Sequence, residues 1–321
     1  MNRRFAVFFA LAGALAPAAL LAQSVFPSKP IRIVVTLPPG ASADAMARAV
    51  GTGLTAAWGQ PVLVDHRPGA NGILAVNQLL QAPPDGYTLL LSGPSTYTVN
   101  PFVYDKLPYD PARDLAPVTM IGSLPVIIAV SPSVQAKSIR ELIALAKSQP
   151  GAINYSTTSV LVQVMSEAFS QQADIRMTHI PYKGGGPAVV ALLAGDVQVG
   201  FIDPAPSLPH IKSGKLRALA ITARQRAAYL PEVPTLTEDV LPGFEEVAWF
   251  GLFARSGTPR EIIVRISAEA VRTLRTQEVR DRLGGIGIDA VGNSPEEFAE
   301  YVRAEAARFA PIIKAANIRV Q

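Results

Sequence analysis

The chain has 321 residues, 49% of them apolar, enough for two domains of ordinary size with a sizeable core. Its formal net charge is +4, two of those charges are Arg3 and Arg4, and no basic stripe or arginine-rich helix exists to track phosphates, which excludes nucleic acid as a partner. Cysteine is absent, which excludes disulfides, thiolate nucleophiles, cysteine metal sites and a lipid-modified N-terminal cysteine.

Residues 1–22 read as a secretory signal: Arg3 and Arg4, the apolar run Phe5 to Leu21, and Ala22 as the last residue before cleavage, leaving Gln23 or Ser24 first. The run is about long enough to be a membrane anchor, but Pro17, its small residues and the immediate strand pattern favour cleavage. The residues around the arginine pair fit general export better than the twin-arginine route.

Strand and helix patterns then alternate. Ile31–Leu37 is a β-branched run stopped by Pro38, Pro39 and Gly40. Ser42 is placed as a helix N-cap with Asp44 in the first turn, and Ala45, Met46, Ala49, Val50, Leu54, Ala57 and Trp58 follow at helical spacing. Pro61–Asp65 and Tyr87–Ser92 read as strands and Gly72–Ala82 as a helix between them. Pro101 to Pro117 reads as a surface excursion. Val126–Val130 is a buried strand, Ser138–Ser148 an amphipathic helix. A second alternating unit has strands at Ile153–Ser156, Met177–Ile180, Val197–Ile202 and Leu216–Thr222, with helices at Leu161–Gln171 and Pro187–Gly195. Val247–Ala254 is an aromatic-rich strand, and Pro259–Thr276 and Pro295–Asn317 are long helices.

This pattern predicts an α/β protein of two lobes, with two parallel-type sheets flanked by helices and two hinge crossovers. Lobe 1 is expected at 23–125 and 250–321 and lobe 2 at 126–249, with Val126–Val130 and Val247–Ala254 as the crossing strands.

Ligands of open parallel sheets gather at the carboxyl ends of the strands. Pro39, Gly40, Ala41, Ser42 and Asp44 lie between a buried strand and a helix start, where unpaired N–H groups favour an anion. The same spacing also makes a plain strand–helix turn. Lys183, Gly184 and Gly185, with Gly186 and Pro187 behind them, repeat the arrangement in the second unit; neither glycine run is a phosphate loop or a dinucleotide fingerprint. Thr157, Thr158 and Ser159 end another strand, as ligand donors or as helix caps. Asp203 closes Val197–Ile202, to take a ligand amine or hydroxyl, order a water, or cap a turn. Catalysis finds little support. His66, His179 and His210 are far apart without metal-ligand spacing, and no Gly-x-Ser-x-Gly elbow occurs. His179 is expected to be packed within its strand, His66 and His210 to lie in turns at the surface, and Trp58 and Trp249 to be core. No cofactor and no metal are expected.

The motifs together resemble a known family. They are Phe26-Pro27-Ser28-Lys29-Pro30 with Pro38-Pro39-Gly40 and Asp44, Trp58-Gly59-Gln60-Pro61, Arg67-Pro68-Gly69-Ala70 and Pro84-Asp85-Gly86-Tyr87. Further on come Leu107-Pro108-Tyr109-Asp110-Pro111, His179-Ile180-Pro181-Tyr182-Lys183-Gly184, Pro209-His210-Ile211 to Ala220, and Gly257-Thr258-Pro259. The chain is similar over essentially its whole length to the substrate-binding proteins of tripartite tricarboxylate transporters, the Bug family. That resemblance implies a two-lobed periplasmic binding protein fold of type II that captures a small mono-, di- or tricarboxylate, aliphatic or aromatic, and does no chemistry on it. It implies a carboxylate held by backbone groups and waters at Pro39, Gly40, Ala41 and Ser42. Second-lobe contacts would come from Thr157, Thr158 and Ser159 and from Lys183, Gly184 and Gly185, with Asp203 selecting the polar tail. The partner is a set of membrane transporter subunits or, as the alternative, a membrane sensor; the protein is expected to be a periplasmic monomer. The sequence departs from the family at Ala41 (usually a second glycine), at Leu37 (often phenylalanine) and at Tyr155–Ser159, which lacks the usual glycines and has Gln163 near the place of a histidine. These last changes imply a reshaped wall and a different or larger ligand.

Overall fold

The computed structural model describes residues 26–182, 184–244 and 246–320; the expected signal segment lies outside them. Among the described residues the strands are β1 (Ile31–Val35), β2 (Val62–His66), β3 (Thr88–Ser92), β4 (Leu115–Pro125), β5 (Ile127–Val130), β6 (Asn154–Thr157), β7 (Thr178–Pro181), β8 (Val199–Ile202), β9 (Arg217–Ile221), β10 (Val247–Arg255) and β11 (Asp289–Ala290). They form two sheets, ordered β11-β4-β10-β3-β1-β2 and β7-β6-β8-β5-β9. β1 buries all but Arg32 of its five residues, as a strand covered on both faces must.

The parallel parts are those expected: β1 with β2 and β3, and β6 with β7 and β8. The sheets as wholes are mixed, which corrects the expectation of parallel-type sheets. β10 runs against β3 and β4, and β5 against β8 and β9. The cause is the crossing. A parallel neighbour needs a crossover helix, whereas β10 re-enters from the other lobe at the end where β3 finishes, pairing Gly251 with Ser92 and Ala254 with Leu89.

The largest departure from the sequence reading is β4. Eleven residues beginning inside the expected surface excursion form a strand that pairs with β10 from Leu115 opposite Arg255 to Pro125 opposite Val247. Val247, Ala248 and Trp249, expected in lobe 2, therefore lie in the first sheet. β4 contains Pro117 and Pro125, which break a strand pattern, and register shifts at Phe250/Gly251 and Leu252/Phe253 absorb the irregularity.

The chain leaves the first sheet at Val126 and returns at Glu246, and both crossings are tied to buried Thr222 just beyond β9. Val126 N donates to Thr222 Oγ1 (2.9 Å), Thr222 N to Val126 O (3.1 Å), and Glu246 N to Thr222 O (3.0 Å). The C-terminal helix Pro295–Ala315 makes a third connection. A capping box starts it, with Ser294 Oγ accepting from Glu297 N and Glu297 Oε2 from Ser294 N. Phe298 and Val302 pack with Trp249 and Phe253 under the first sheet. Further along, Phe309 and Ile313 join Leu161 and Phe169 of the helix Val160–Ala173 in the second lobe.

Gly251 is required where Phe298 crosses β10, because a Cβ there would lie 2.2 Å from Phe298 Cζ and 3.1 Å from Thr119 O. Gly251→Ala is expected to cost about 1–3 kcal/mol through overpacking. Gly284→Ala, with nothing within 4 Å of the added carbon, is expected to cost nothing; urea denaturation of both variants checks the pair.

Candidate functional site

Three loops meet at the carboxyl ends of β1, β2 and β3. The first runs through Pro39 and Gly40 to the helix Ser42–Trp58. Ser42 is not its N-cap, contrary to expectation: Ala41 holds that place, with φ −76° and ψ 166°, and no side chain caps it. Asp44 reaches back instead, and its Oδ2 accepts from Gly40 N at 3.0 Å. Ala41 N donates to Pro38 O at 3.3 Å. The Gly40 and Ala41 amides are thus engaged within the loop, and the donors left without an intrahelical acceptor are those of Ser42 and Ala43. In front of them Gly40 has φ +82°, and a Cβ on it would meet nothing within 4 Å.

Asp44 is therefore the brace of this loop. Its Oδ1 also takes Arg48 Nε at 2.8 Å and His66 Nε2 at 2.9 Å. Burial alone would raise its pKa, but the Gly40 amide, Arg48 and His66 together hold it below the usual carboxylate value. His66, expected in a surface turn, is the last residue of β2, and its side chain is only 13% exposed because it turns onto Asp44.

The second loop, Gly69–Gly72, has four successive positive φ angles (129°, 46°, 49° and 88°). Gly72 sits between Thr36 and Thr96; a Cβ there would lie 2.5 Å from Thr96 Cγ2. A side-chain framework fixes this backbone. Asn71 Nδ2 donates to Tyr104 Oη (2.8 Å), Asn100 Nδ2 to Asn71 O and to Tyr109 Oη (both 3.1 Å), and Tyr109 Oη to Thr96 O (2.7 Å). The sequence reading missed all of it; the signal was the run of asparagines and tyrosines flanking segments it took for loops. Thr96 belongs to the third loop, whose Ser95–Val99 turn is π-helical, a form common at functional sites.

In the second lobe the three hydroxyls divide their work. Thr157 Oγ1 lies 2.7 Å from His179 Nε2. Ser159 caps the helix Val160–Ala173, its Oγ accepting from Val162 N at 3.3 Å. Thr158 hydrogen-bonds Asp203. Asp203 follows β8 and holds the N-cap place of the helix Pro204–Lys212. Burial pushes its pKa up to about 6, against the Thr158 bond. Gly185 joins this pair, since a Cβ on it would lie 3.4 Å from Asp203 Oδ2, and Gly184, with φ +95°, stands in open space. Lys183 lies outside the described residues. His179 packs as expected, its ring 5.2 Å from that of Tyr155 and its pKa lowered by burial. Pro204, next to Asp203, packs on Gly287 of the first lobe, where a Cβ would lie 2.7 Å from Pro204 Cβ. Among the described residues no group of three His, Cys, Asp or Glu could hold a metal ion, and no helix is long and apolar enough to cross a membrane.

A family model described as "Tripartite tricarboxylate transporter family receptor" matches residues 46–318. Protein BugT of Bordetella pertussis is 34% identical over 318 residues, covering 98% of this chain and 97% of that protein. The solved structure of R. palustris Rpa4515 with adipate is similar with a TM-score of 0.82 at 30% identity, over 92% of this chain and 99% of that one. MatC (Rpa3494) from Rhodopseudomonas palustris with bound malate gives 0.76 at 29%, over 90% and 100%.

The raised pKa of Asp203 has a sign for stability. The folded protein holds this proton where the unfolded carboxyl has lost it, so the contribution is full below pH 3.8 and is lost as pH rises towards about 6. Asp203→Asn is expected to remove that loss. Its melting temperature relative to the unsubstituted protein should climb between about pH 4 and pH 6 and then level off. Parallel thermal melts check this; a constant difference across the range contradicts it.

Proposed function

Because the chain belongs to the tripartite tricarboxylate transporter receptors, the Bug family, we propose that it is an exported periplasmic monomer that captures a small carboxylate between its lobes and delivers it to the membrane subunits of such a transporter. It is a receptor of that family, not an enzyme. The observation that carries the reading is the helix start at the carboxyl end of β1, where the Ser42 and Ala43 amides have no intrahelical acceptor and a Cβ on the neighbouring Gly40 would stand in open space. Amides at a helix start in an open crevice favour an anion.

On this reading the first lobe grips one carboxylate with backbone donors, and the second meets the rest of the molecule with Thr158, Asp203 and the Gly184-Gly185 turn. The ligand class it fits best is a dicarboxylate. Asp203 keeps its proton up to about pH 6, and a second carboxylate brought beside it would raise that value further, so the acid would donate a hydrogen bond where an ordinary aspartate would repel. The neighbours solved with adipate and malate support this choice. Hydrogen bonds to a charged group contribute about 1.5–3 kcal/mol each. Micromolar binding needs about 8 kcal/mol net, after association costs of roughly 4–15 kcal/mol. Two amides fall short of that sum, so both lobes must engage and the cleft must close.

A thermal-shift screen of mono-, di- and tricarboxylates should single out dicarboxylates. Gly40→Asp tests the grip. Aspartate tolerates a positive φ, so the fold should persist, while its charge beside the anion should weaken binding by about a hundredfold or more. Calorimetry showing unchanged affinity would place the anion elsewhere.

A further inference from the structure

The loop at the carboxyl end of β3 is held by an acid that the sequence reading did not single out. Glu305 lies in the C-terminal helix and is 3% exposed. Its Oε1 and Oε2 lie 2.9 and 2.8 Å from Trp249 Nε1, and Oε2 accepts from Thr98 Oγ1 at 2.9 Å. Tyr301, one turn earlier, also hydrogen-bonds it. Thr98 belongs to the π-helical turn Ser95–Val99 and Trp249 to β10, three residues past the crossing at Glu246; both are fully buried. The two segments also touch through their backbones, since a Cβ on Gly93 would lie 2.6 Å from Trp249 O. The charged neighbour is Arg308, on the same helix, which bonds Glu246 at 2.7 Å.

We propose that Glu305 is a positioning residue of the binding site, which fastens the turn Ser95–Val99 to the hinge strand β10 through Thr98 and Trp249 and changes the polarity of that fastening with its own protonation. When ionised, the carboxylate accepts from Thr98, Trp249 and Tyr301 together. When protonated, one oxygen must donate. Thr98 Oγ1 can receive that proton and pass its own hydrogen to Pro94 O, 3.1 Å away, so the link to the turn survives with reversed direction. The Trp249 indole, now placed between both oxygens, then keeps one full acceptor. Burial supplies the means by pushing the Glu305 pKa up to about 7, against the lowering effects of Trp249, Thr98, Arg308 and Tyr301.

The site role rests on the carboxylate reading above, but its test needs no ligand. The chain has two tryptophans, so Trp58→Phe leaves Trp249 as the reporter. Its emission is expected to change sigmoidally with pH, with a midpoint near the Glu305 value of about 7, and to stay flat in Glu305→Gln. Hydrogen exchange reads the positioning. Amides 95–100 are expected to exchange about tenfold faster in Glu305→Ala, to recover in Glu305→Gln, and to leave β1 and β2 unchanged. Thr98→Val keeps the side-chain shape, removes the link, and carries the same expectation if Glu305→Ala does not fold. Flat Trp249 emission with glutamate present, unchanged protection of 95–100 in Thr98→Val, or loosening spread evenly over both lobes would each overturn the proposal. A protein that binds no carboxylate yet meets both expectations would sink the transport reading and leave the fastening in place.

Discussion

Two crossings secured at one buried threonine set what this molecule can do. β4 and β10 run side by side along the first sheet and leave it at the same end. Where they leave, Thr222 bonds Val126 through both its amide and its hydroxyl, and Glu246 through its carbonyl. Two strands gathered at one point give the two lobes a common pivot, with the C-terminal helix packed across them as a third connection. The mixed character of both sheets has the same origin, since each contains a strand delivered by the hinge rather than by a crossover helix.

The closure proposed for the two lobes requires each half of the site to be rigid, and side chains fix the loops on both sides. Asp44 is held by Gly40, Arg48 and His66, which fixes the first loop. The Asn71–Asn100–Tyr109–Thr96 framework fixes the second to the third. Ala70 and Asn71 remain left-handed inside it, a conformation that costs free energy and persists only where its surroundings over-determine it. Two of the three histidines are consumed as braces: His66 on Asp44 and His179 on Thr157.

The sequence exposed those parts of the fold whose pattern is local. β1, β3, β5 and the long terminal helices announce themselves by β-branched runs or helical spacing, and the parallel units follow from their alternation. β4 stayed hidden because its pairing is long-range: residues such as Pro117 and Gly122 make sense only opposite the bulged β10. The site was legible at the level of loops and not of atoms. Periodicity placed Gly40, Thr158, Gly185 and Asp203 at strand ends, yet nothing in spacing says that Asp44 would fold back onto Gly40 or that His66 would join it. Glu305 was invisible for the same reason. On a helical wheel it is one more acid, and only the arrival of Trp249 and Thr98 from 56 and 207 residues away makes it central.

This division of labour explains which sequence departures matter. Ala41 stands where the family resemblance implies a glycine, but its φ of −76° is open to any residue, and its amide donates to Pro38 O within the loop. A grip made of backbone donors survives such a change because no side chain defines it. The second lobe presents side chains, Thr158 hydrogen-bonded to Asp203 and Gly185 leaving room beside it. Substitutions there alter the groups that would meet the variable part of a ligand, and the segment Tyr155–Ser159 is one of the departures that the family resemblance implies. On the proposed reading, an anion grip of main-chain amides in one lobe and a side-chain wall in the other would let the carboxylate be held in common while the remainder of the ligand is chosen separately. The specificity of this protein should therefore change with substitutions around residues 155–163 and 203, and hardly at all with those at residue 41.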